Sequence, residues 1–148
     1  MQSEAIYGIY FHGPAYQVLE KAWKADGRVV GRMPSRLPDH HGPRELPTVM
    51  APRLIELCFQ TAGIWEMGTT GKMGLPLHVD RVQTLRSPDE AQGPLFAVVT
   101  PEPESGAYSA EVVDEKGGVY VNLTGYRTIE APDGVDEAKL APLRKAMS

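Results

Sequence analysis

Residues 52–60 read PRLIELCFQ, a mostly apolar stretch in which Glu56 and Gln60 stand four positions apart. Side chains at i and i+4 lie one above the other on a helix, so this spacing predicts a polar pair on one face. Apolar residues cover most of the remaining circumference as far as Trp65, which is typical of a helix buried in a core. A long central helix is therefore expected here.

The charge of Glu56 is unusual in such a helix. Burying a carboxylate costs free energy unless it is hydrogen-bonded, paired with a cation or protonated. Glu56 is therefore either a surface charge near the helix start or a functional acid, because carboxyl groups with altered protonation are common at active sites. The residues of the helix alone leave both interpretations open.

Turn residues divide the rest of the chain. Asp26-Gly27 predicts a tight turn between strands within residues 15–25 and 28–33. We expect a loop rich in Pro, His and Gly over residues 34–48, followed by the helix, which should begin near Ala51 and end in the glycine cluster 68–74.

After the helix, apolar residues recur with a period near two, which indicates strands. The predicted strands cover residues 75–85, 95–100, 108–113 and 119–129. Residues 133–148 form either a short amphipathic helix or a loose tail. The sequence thus predicts one domain over residues 1–132 with a C-terminal tail. Its expected class is α+β of the hotdog type, a curved antiparallel sheet wrapped around one long helix.

Composition excludes several classes of protein. The chain has 148 residues, 15 basic and 19 acidic, with a formal net charge of −4, which argues against a nucleic-acid partner. No apolar run of 18 residues and no leader pattern occur, so we expect neither a membrane span nor a signal peptide, and a cytoplasmic location. The single cysteine, Cys58, excludes an internal disulfide and is expected to be a packed thiol.

Three segments resemble the dehydratase domain of polyketide synthases, specifically its C-terminal half. Residues 10–17, YFHGPAYQ, resemble the family's aromatic-Gly-Pro-x-aromatic-Gln strand opening. Residues 52–60 resemble its Pro-x-Leu-Leu-Asp-x-x-x-Gln helix, and residues 112–127 are similar to its closing hairpin. Together the three segments extend from Tyr10 to Ile129 in the family's order.

The resemblance implies a dehydratase function within a polyketide or fatty-acid synthase. In this family two hotdog folds lie side by side and remove water from a 3-hydroxyacyl group held as a phosphopantetheine thioester on an acyl carrier protein. A histidine on the N-terminal hotdog takes the α-proton, and an aspartate on the C-terminal helix protonates the leaving hydroxyl. By resemblance, Glu56 occupies the aspartate position, and Gln60 the position of the glutamine that holds that carboxyl.

The strand-opening motif implies the substrate-binding residues, which are His12, Gly13, Pro14 and Tyr16. The resemblance implies no cofactor and no metal. It implies an acyl carrier protein as one partner, and either an N-terminal hotdog half or a second copy of the chain as another.

Two departures from the family pattern affect the expected activity. Glutamate in place of aspartate displaces the acid by roughly 1 Å, and misplacement on that scale costs about 10²-fold in rate. No segment resembles the family's His-x-x-x-Gly-x-x-x-x-Pro motif, so only the acid half of the site is expected. The alternatives are a non-catalytic acyl-binding or dimerisation hotdog, and an acyl thioesterase with Glu56 as base.

The histidines have other interpretations as well. His12 replaces a tyrosine common in the family, and it either lines the acyl tunnel, contacts Glu56 or hydrogen-bonds to backbone. His40 and His41 are expected to be solvated loop residues, because their spacing suits a metal poorly. His78 is expected to be a cross-strand packing residue.

Overall fold

Seven strands and three α-helices make up the protein, and the computed structural model describes all 148 residues. In chain order they are α1 (Ser3–Tyr7), β1 (Lys21–Ala25), β2 (Arg28–Arg32), α2 (Pro52–Thr70), β3 (Gly74–His78), β4 (Arg81–Thr84), β5 (Leu95–Glu102), β6 (Ala107–Asp114), β7 (Val119–Glu130) and α3 (Glu137–Met147). Short 3-10 turns lie at Pro14–Tyr16 and Pro88–Glu90. No helix is both long enough and apolar enough to cross a lipid bilayer.

All strands join one antiparallel sheet with the order β1-β2-β5-β6-β7-β3, and β4 pairs with β7 beside β3. Helix α2 contacts β2, β5, β6, β7 and β3, so the sheet curves around it. The predicted antiparallel sheet around one central helix is confirmed.

The ends of α2 follow from its sequence. Pro52 lies in the first turn, where its missing N–H costs no hydrogen bond. Gly71 ends the helix in the left-handed region at φ 75°, and its N–H donates to the carbonyl of Met67. Both predicted helix ends are confirmed. Cys58 is buried as predicted, and desolvation raises the pKa of its thiol to about 12.

Helix α2 packs closely against β2 at Gly31. A Cβ atom on Gly31 would lie 2.1 Å from the hydroxyl of Thr61 and 2.5 Å from the side chain of Leu19. Thr61 is fully buried, and its hydroxyl donates to the carbonyl of Leu57 at 2.6 Å. The absence of a side chain at position 31 therefore sets the distance between helix and sheet.

The first hairpin is shorter than the sequence predicts. Asp26 and Gly27 form the predicted tight turn, with φ angles of 49° and 74°. Strand β1 begins only at Lys21, however, and not near residue 15. The carbonyls of Ala15 and Tyr16 accept hydrogen bonds from side chains of α2, so this backbone pairs with the helix and not with a strand.

The predicted strand over residues 75–85 is divided into β3 and β4, both paired with β7. The reason is a turn at Asp80, whose carboxylate occupies the space above Gly125 that a Cβ atom would fill. Gly125 has φ +67°, which shifts the register of β7 against β6. Tyr120, Val121, Leu123 and Tyr126 are all buried, so burial along β7 does not follow a strict period of two.

His78 lies opposite Arg127 across β3 and β7, as predicted, but it is exposed at the surface. Its side chain is 53% exposed, and Nε2 lies 2.8 Å from Oδ1 of Asp80. Arg127 also binds this carboxylate, at 3.1 Å. The three side chains form a surface cluster that fixes the turn between β3 and β4.

The C-terminal residues form a helix, which was one of the two expected states. Asp136 caps α3 by accepting from the N–H of Ala138. Leu140, Leu143 and Met147 are buried, and α3 packs on α2. Helix α3 is therefore part of the packed structure.

Replacing Gly31→Ala should lower the free energy of unfolding by about 1–3 kcal/mol, because the new methyl group would overlap Thr61 and Leu19. Gly134→Ala is the matched control, since nothing lies within 4 Å of its Cβ position and its effect should stay within about 0.5 kcal/mol. Urea denaturation measures both. Equal stability of the two variants would contradict the close approach of α2 and β2.

Candidate active site

The side-chain amide of Gln60 connects three segments of the chain. Its Oε1 accepts a hydrogen bond from the hydroxyl of Tyr7 at 2.8 Å. Its Nε2 donates to the carbonyl of Tyr16 at 2.9 Å and to Oε1 of Glu56 at 3.0 Å. The side chain is buried, with 2% of the residue exposed. Because both amide hydrogens and the amide oxygen are used, the orientation of the amide group is fixed.

Two tyrosines support this arrangement. The hydroxyl of Tyr7 accepts from the backbone N–H of Leu19 at 2.7 Å while it donates to Gln60. The hydroxyl of Tyr10 donates to the backbone carbonyl of Gln60 at 2.9 Å. Burial raises the pKa of Tyr7 and of Tyr10, so both hydroxyls keep their protons near neutral pH.

Glu56 lies one turn before Gln60 and receives a second polar contact. Nε2 of His12 lies 3.0 Å from Oε1 of Glu56, and the two side chains are 21% and 23% exposed. Oε1 is thus shared by His12 and Gln60. No protein group hydrogen-bonds to Oε2 of Glu56.

The imidazole of His12 is fixed by its neighbours. It stacks on Phe11 with a centroid distance of 5.3 Å and an interplanar angle of 6°. The ring of Tyr10 meets it edge-on at 5.2 Å. The amide of Gln17 donates to the backbone carbonyl of His12 at 3.1 Å. Nδ1 of His12 is buried and has no hydrogen-bond partner.

A cavity of about 200 Å³ lies beside this polar group. His12, Glu56 and Gln60 form its polar part. The rest of the wall is mostly apolar and consists of Tyr10, Phe11, Phe59, Met73, Gly74, Leu75, Pro76 and Tyr126. Phe59 and Tyr126 stack with ring centroids 4.3 Å apart. A carboxyl group with one free oxygen therefore borders a small apolar cavity.

The structure brings together three of the residues selected from the sequence, which are His12, Glu56 and Gln60. Gly13, Pro14 and Tyr16 lie outside the wall of this cavity. Tyr16 instead contributes its carbonyl to Gln60, and its hydroxyl lies 3.2 Å from Nδ1 of His40.

Sequence reasoning missed four aromatic residues, Tyr7, Tyr10, Phe59 and Tyr126. Phe59 was assigned only to the apolar surface of α2. The other three come from segments about 50 or more residues away from Gln60 in sequence. Tyr10 and Tyr126 lie in segments that resemble the family, but only the tertiary fold shows that they line the cavity beside the carboxyl group.

A larger cavity of about 710 Å³ lies elsewhere, between residues 40–54 and residues 84–90. His40, His41, Arg44 and Arg86 are among its lining residues. Glu56 is not part of its wall. No group of three or more His, Cys, Asp or Glu side chains is placed to hold a metal ion.

Residues 7–138 match the family described as the polyketide synthase dehydratase N-terminal domain. This match supports the expected family but does not confirm the expected C-terminal half. No protein of curated function matches the chain significantly in sequence.

Solved dehydratase domains share the fold. An inactive mutant of the CurK dehydratase is 20% identical, with a TM-score of 0.70 over 90% of this chain and 49% of that one. The CurF dehydratase domain of curacin polyketide synthase is 22% identical, with a TM-score of 0.65 over 88% of this chain and 48% of that one. A trans-AT polyketide synthase dehydratase domain from Brevibacillus brevis is 20% identical, with a TM-score of 0.67 over 87% of this chain and 46% of that one. These similarities confirm the predicted α+β hotdog fold, and the chain spans about half the length of the domains it matches.

Replacing Gln60→Leu should lower the free energy of unfolding by about 2–4 kcal/mol, because the O–H of Tyr7 loses its acceptor and the carbonyl of Tyr16 loses its donor in a partly buried position. Gln92→Leu is the matched control, because Gln92 is exposed, and it should change the free energy of unfolding by less than about 0.5 kcal/mol. Thermal or urea unfolding followed by circular dichroism measures both. A Gln60→Leu variant as stable as the wild type would contradict the role given to this amide.

Proposed function

The chain belongs to the polyketide synthase dehydratase family, and we propose that it is the C-terminal hotdog half of a dehydratase that acts on 3-hydroxyacyl groups carried by an acyl carrier protein. One observation carries the proposal. The carboxyl of Glu56 borders an apolar cavity, with Oε1 held by Gln60 and His12 and Oε2 free. A general acid requires such a fixed carboxyl beside the space for the reacting group.

The assignment to the C-terminal half rests on the position of the acid. The matched family is described as an N-terminal domain, and a match to half of each solved domain does not say which half. Glu56 and Gln60 on the central helix are similar to the acid and amide of the family's C-terminal half. The chain has no segment similar to the histidine motif of the N-terminal half. Both observations favour the second hotdog.

The proposed chemistry is an elimination. A base removes the proton from the α-carbon of the thioester, the bond between the β-carbon and its hydroxyl breaks, and a double bond forms between the two carbons. The hydroxyl leaves as water with the proton of Glu56, so the carboxyl acts as general acid. The apolar wall formed by Phe59 and Tyr126 holds the acyl chain. The α-proton goes to the histidine of the N-terminal half.

The test is incubation of the chain with a 3-hydroxyacyl thioester, alone and with a candidate N-terminal half, followed by measurement of the enoyl product. With the complementary half, product should form, and Glu56→Gln should lower its rate by about 10²–10⁴-fold. Glu66→Gln is the matched control, because Glu66 lies on the same helix but does not line the cavity. It should leave the rate within a few-fold of the wild type.

The other possible outcomes separate the alternative functions. Absence of enoyl product in every combination, with all proteins folded, would contradict the dehydratase proposal. Binding of the thioester that survives Glu56→Gln without any turnover would favour a non-catalytic acyl-binding hotdog. Release of free thiol would favour hydrolysis of the thioester.

We also propose that the edge of the sheet at β3 and β4 meets the partner, which is a second copy or the N-terminal half. The opposite edge, β1, is partly covered by the N-terminal segment, which bridges Gln2 to Lys21. Near β3 and β4, by contrast, the large apolar side chains Leu77, Leu85 and Ile129 are exposed. Unpaired strands with exposed apolar side chains favour association.

In the absence of the N-terminal half, we expect a homodimer across this edge. Leu77→Glu should shift the mass measured by light scattering from dimer to monomer, because it places charge on the paired edge. Ala141→Glu is the control for an added charge, since Ala141 is exposed on α3, which packs on α2 and β1. A wild-type monomer at every concentration would contradict the homodimer.

A further inference from the structure

We propose that His12 is a positioning residue that acts through Glu56. In this arrangement Nε2–H of His12 and the amide of Gln60 both donate to Oε1, which leaves Oε2 as the oxygen that carries and transfers the proton. The inference rests on the proposed role of Glu56 as general acid. It assigns separate tasks to the two carboxyl oxygens, one for anchoring and one for reaction.

The direction of the Gln60 amide is fixed by its other two hydrogen bonds. Its oxygen accepts from Tyr7, and one of its hydrogens is used by the carbonyl of Tyr16. The group that faces Glu56 is therefore N–H and not the carbonyl oxygen. Oε1 of Glu56 must act as an acceptor toward Gln60, at 3.0 Å.

His12 contacts the same carboxyl oxygen of Glu56 as Gln60 does. Nε2 lies 3.0 Å from the same Oε1, whereas a neutral ring protonated on Nδ1 would bury an N–H group that has no acceptor. A protonated Nε2 supplies the second donor that a carboxyl oxygen accommodates with its two lone pairs. With both lone pairs of Oε1 occupied, the acidic proton belongs on Oε2, which has no protein partner.

His12 itself is not positioned to act as the base. When Nε2 carries a proton, the free lone pair of a neutral imidazole is on Nδ1. Nδ1 is buried without a partner, so a substrate in the cavity does not reach it in this structure. Stacking on Phe11 and the edge contact with Tyr10 hold the ring in this orientation. The imidazole therefore orients the acid and does not take a proton from the substrate.

Two substitutions separate positioning from base catalysis. His12→Gln places an amide N–H near the position of Nε2 but cannot act as a base, and kcat should stay within about threefold of the wild type. His12→Phe keeps a planar ring without a donor, and kcat should fall by about 10²-fold, since a misplaced acid costs about that much. KM should change little in both, because the wall of the cavity is retained. A His12→Gln variant as inactive as His12→Phe would overturn the proposal.

A second measurement does not depend on activity. The ¹⁵N resonances of the imidazole in the labelled wild-type protein report which nitrogen carries the proton when the ring is neutral. The signal of His12 is assigned by its loss in His12→Phe, since the chain has only 4 histidines. The expected form is Nε2–H, and a neutral ring protonated on Nδ1 would overturn the proposal.

The two tests also separate this inference from the proposed function. A wild type that forms no enoyl product contradicts the dehydratase proposal, while the tautomer still decides whether His12 donates to Glu56. An active wild type with the Nδ1–H tautomer contradicts only the positioning role. Each result therefore identifies which of the two statements is wrong.

Discussion

The side-chain amide of Gln60 is the interaction on which the rest of the site depends. It joins α1 through Tyr7, the 3-10 turn through Tyr16 and its own helix through Glu56. An amide in a buried position is stable only when its hydrogen-bonding groups are satisfied, so these segments have to meet in one arrangement. The direction of the carboxyl group is thus a consequence of how the N-terminal segment lies across the central helix.

The sequence predicts the fold where local signals and tertiary contacts agree. The apolar pattern of α2, its proline start and its glycine end, and the Asp26-Gly27 turn all specify what the structure contains. Prediction from sequence fails where a residue distant in the chain fixes the local conformation. The carbonyls of Ala15 and Tyr16 bind side chains of α2, and the carboxylate of Asp80 occupies the space over Gly125. No sequence pattern within residues 15–25 or 75–85 indicates these distant contacts.

The difference between local sequence signals and tertiary contacts also applies to the residues of the candidate site. The i, i+4 spacing of Glu56 and Gln60 is local, so their hydrogen bond is predictable from sequence. The contact of His12 with Glu56 was one of three interpretations of that histidine, and only the folded chain selects it. Tyr7, Tyr10 and Tyr126 reach the site from other segments, and their contacts there appear only in the folded chain.

The left-handed conformation of Gly125 influences the shape of the cavity separately from the carboxyl group of Glu56. It turns Tyr126 into the wall, where that ring stacks on Phe59, whereas the carboxyl and its two donors lie on α2 and the N-terminal segment. A change in β7 near this bulge would therefore resize the cavity and leave the polar group intact. Substitutions in β7 can thus alter one part of the cavity wall separately from the carboxyl group, whereas Tyr10, Phe11 and Phe59 share their segments with His12, Glu56 and Gln60.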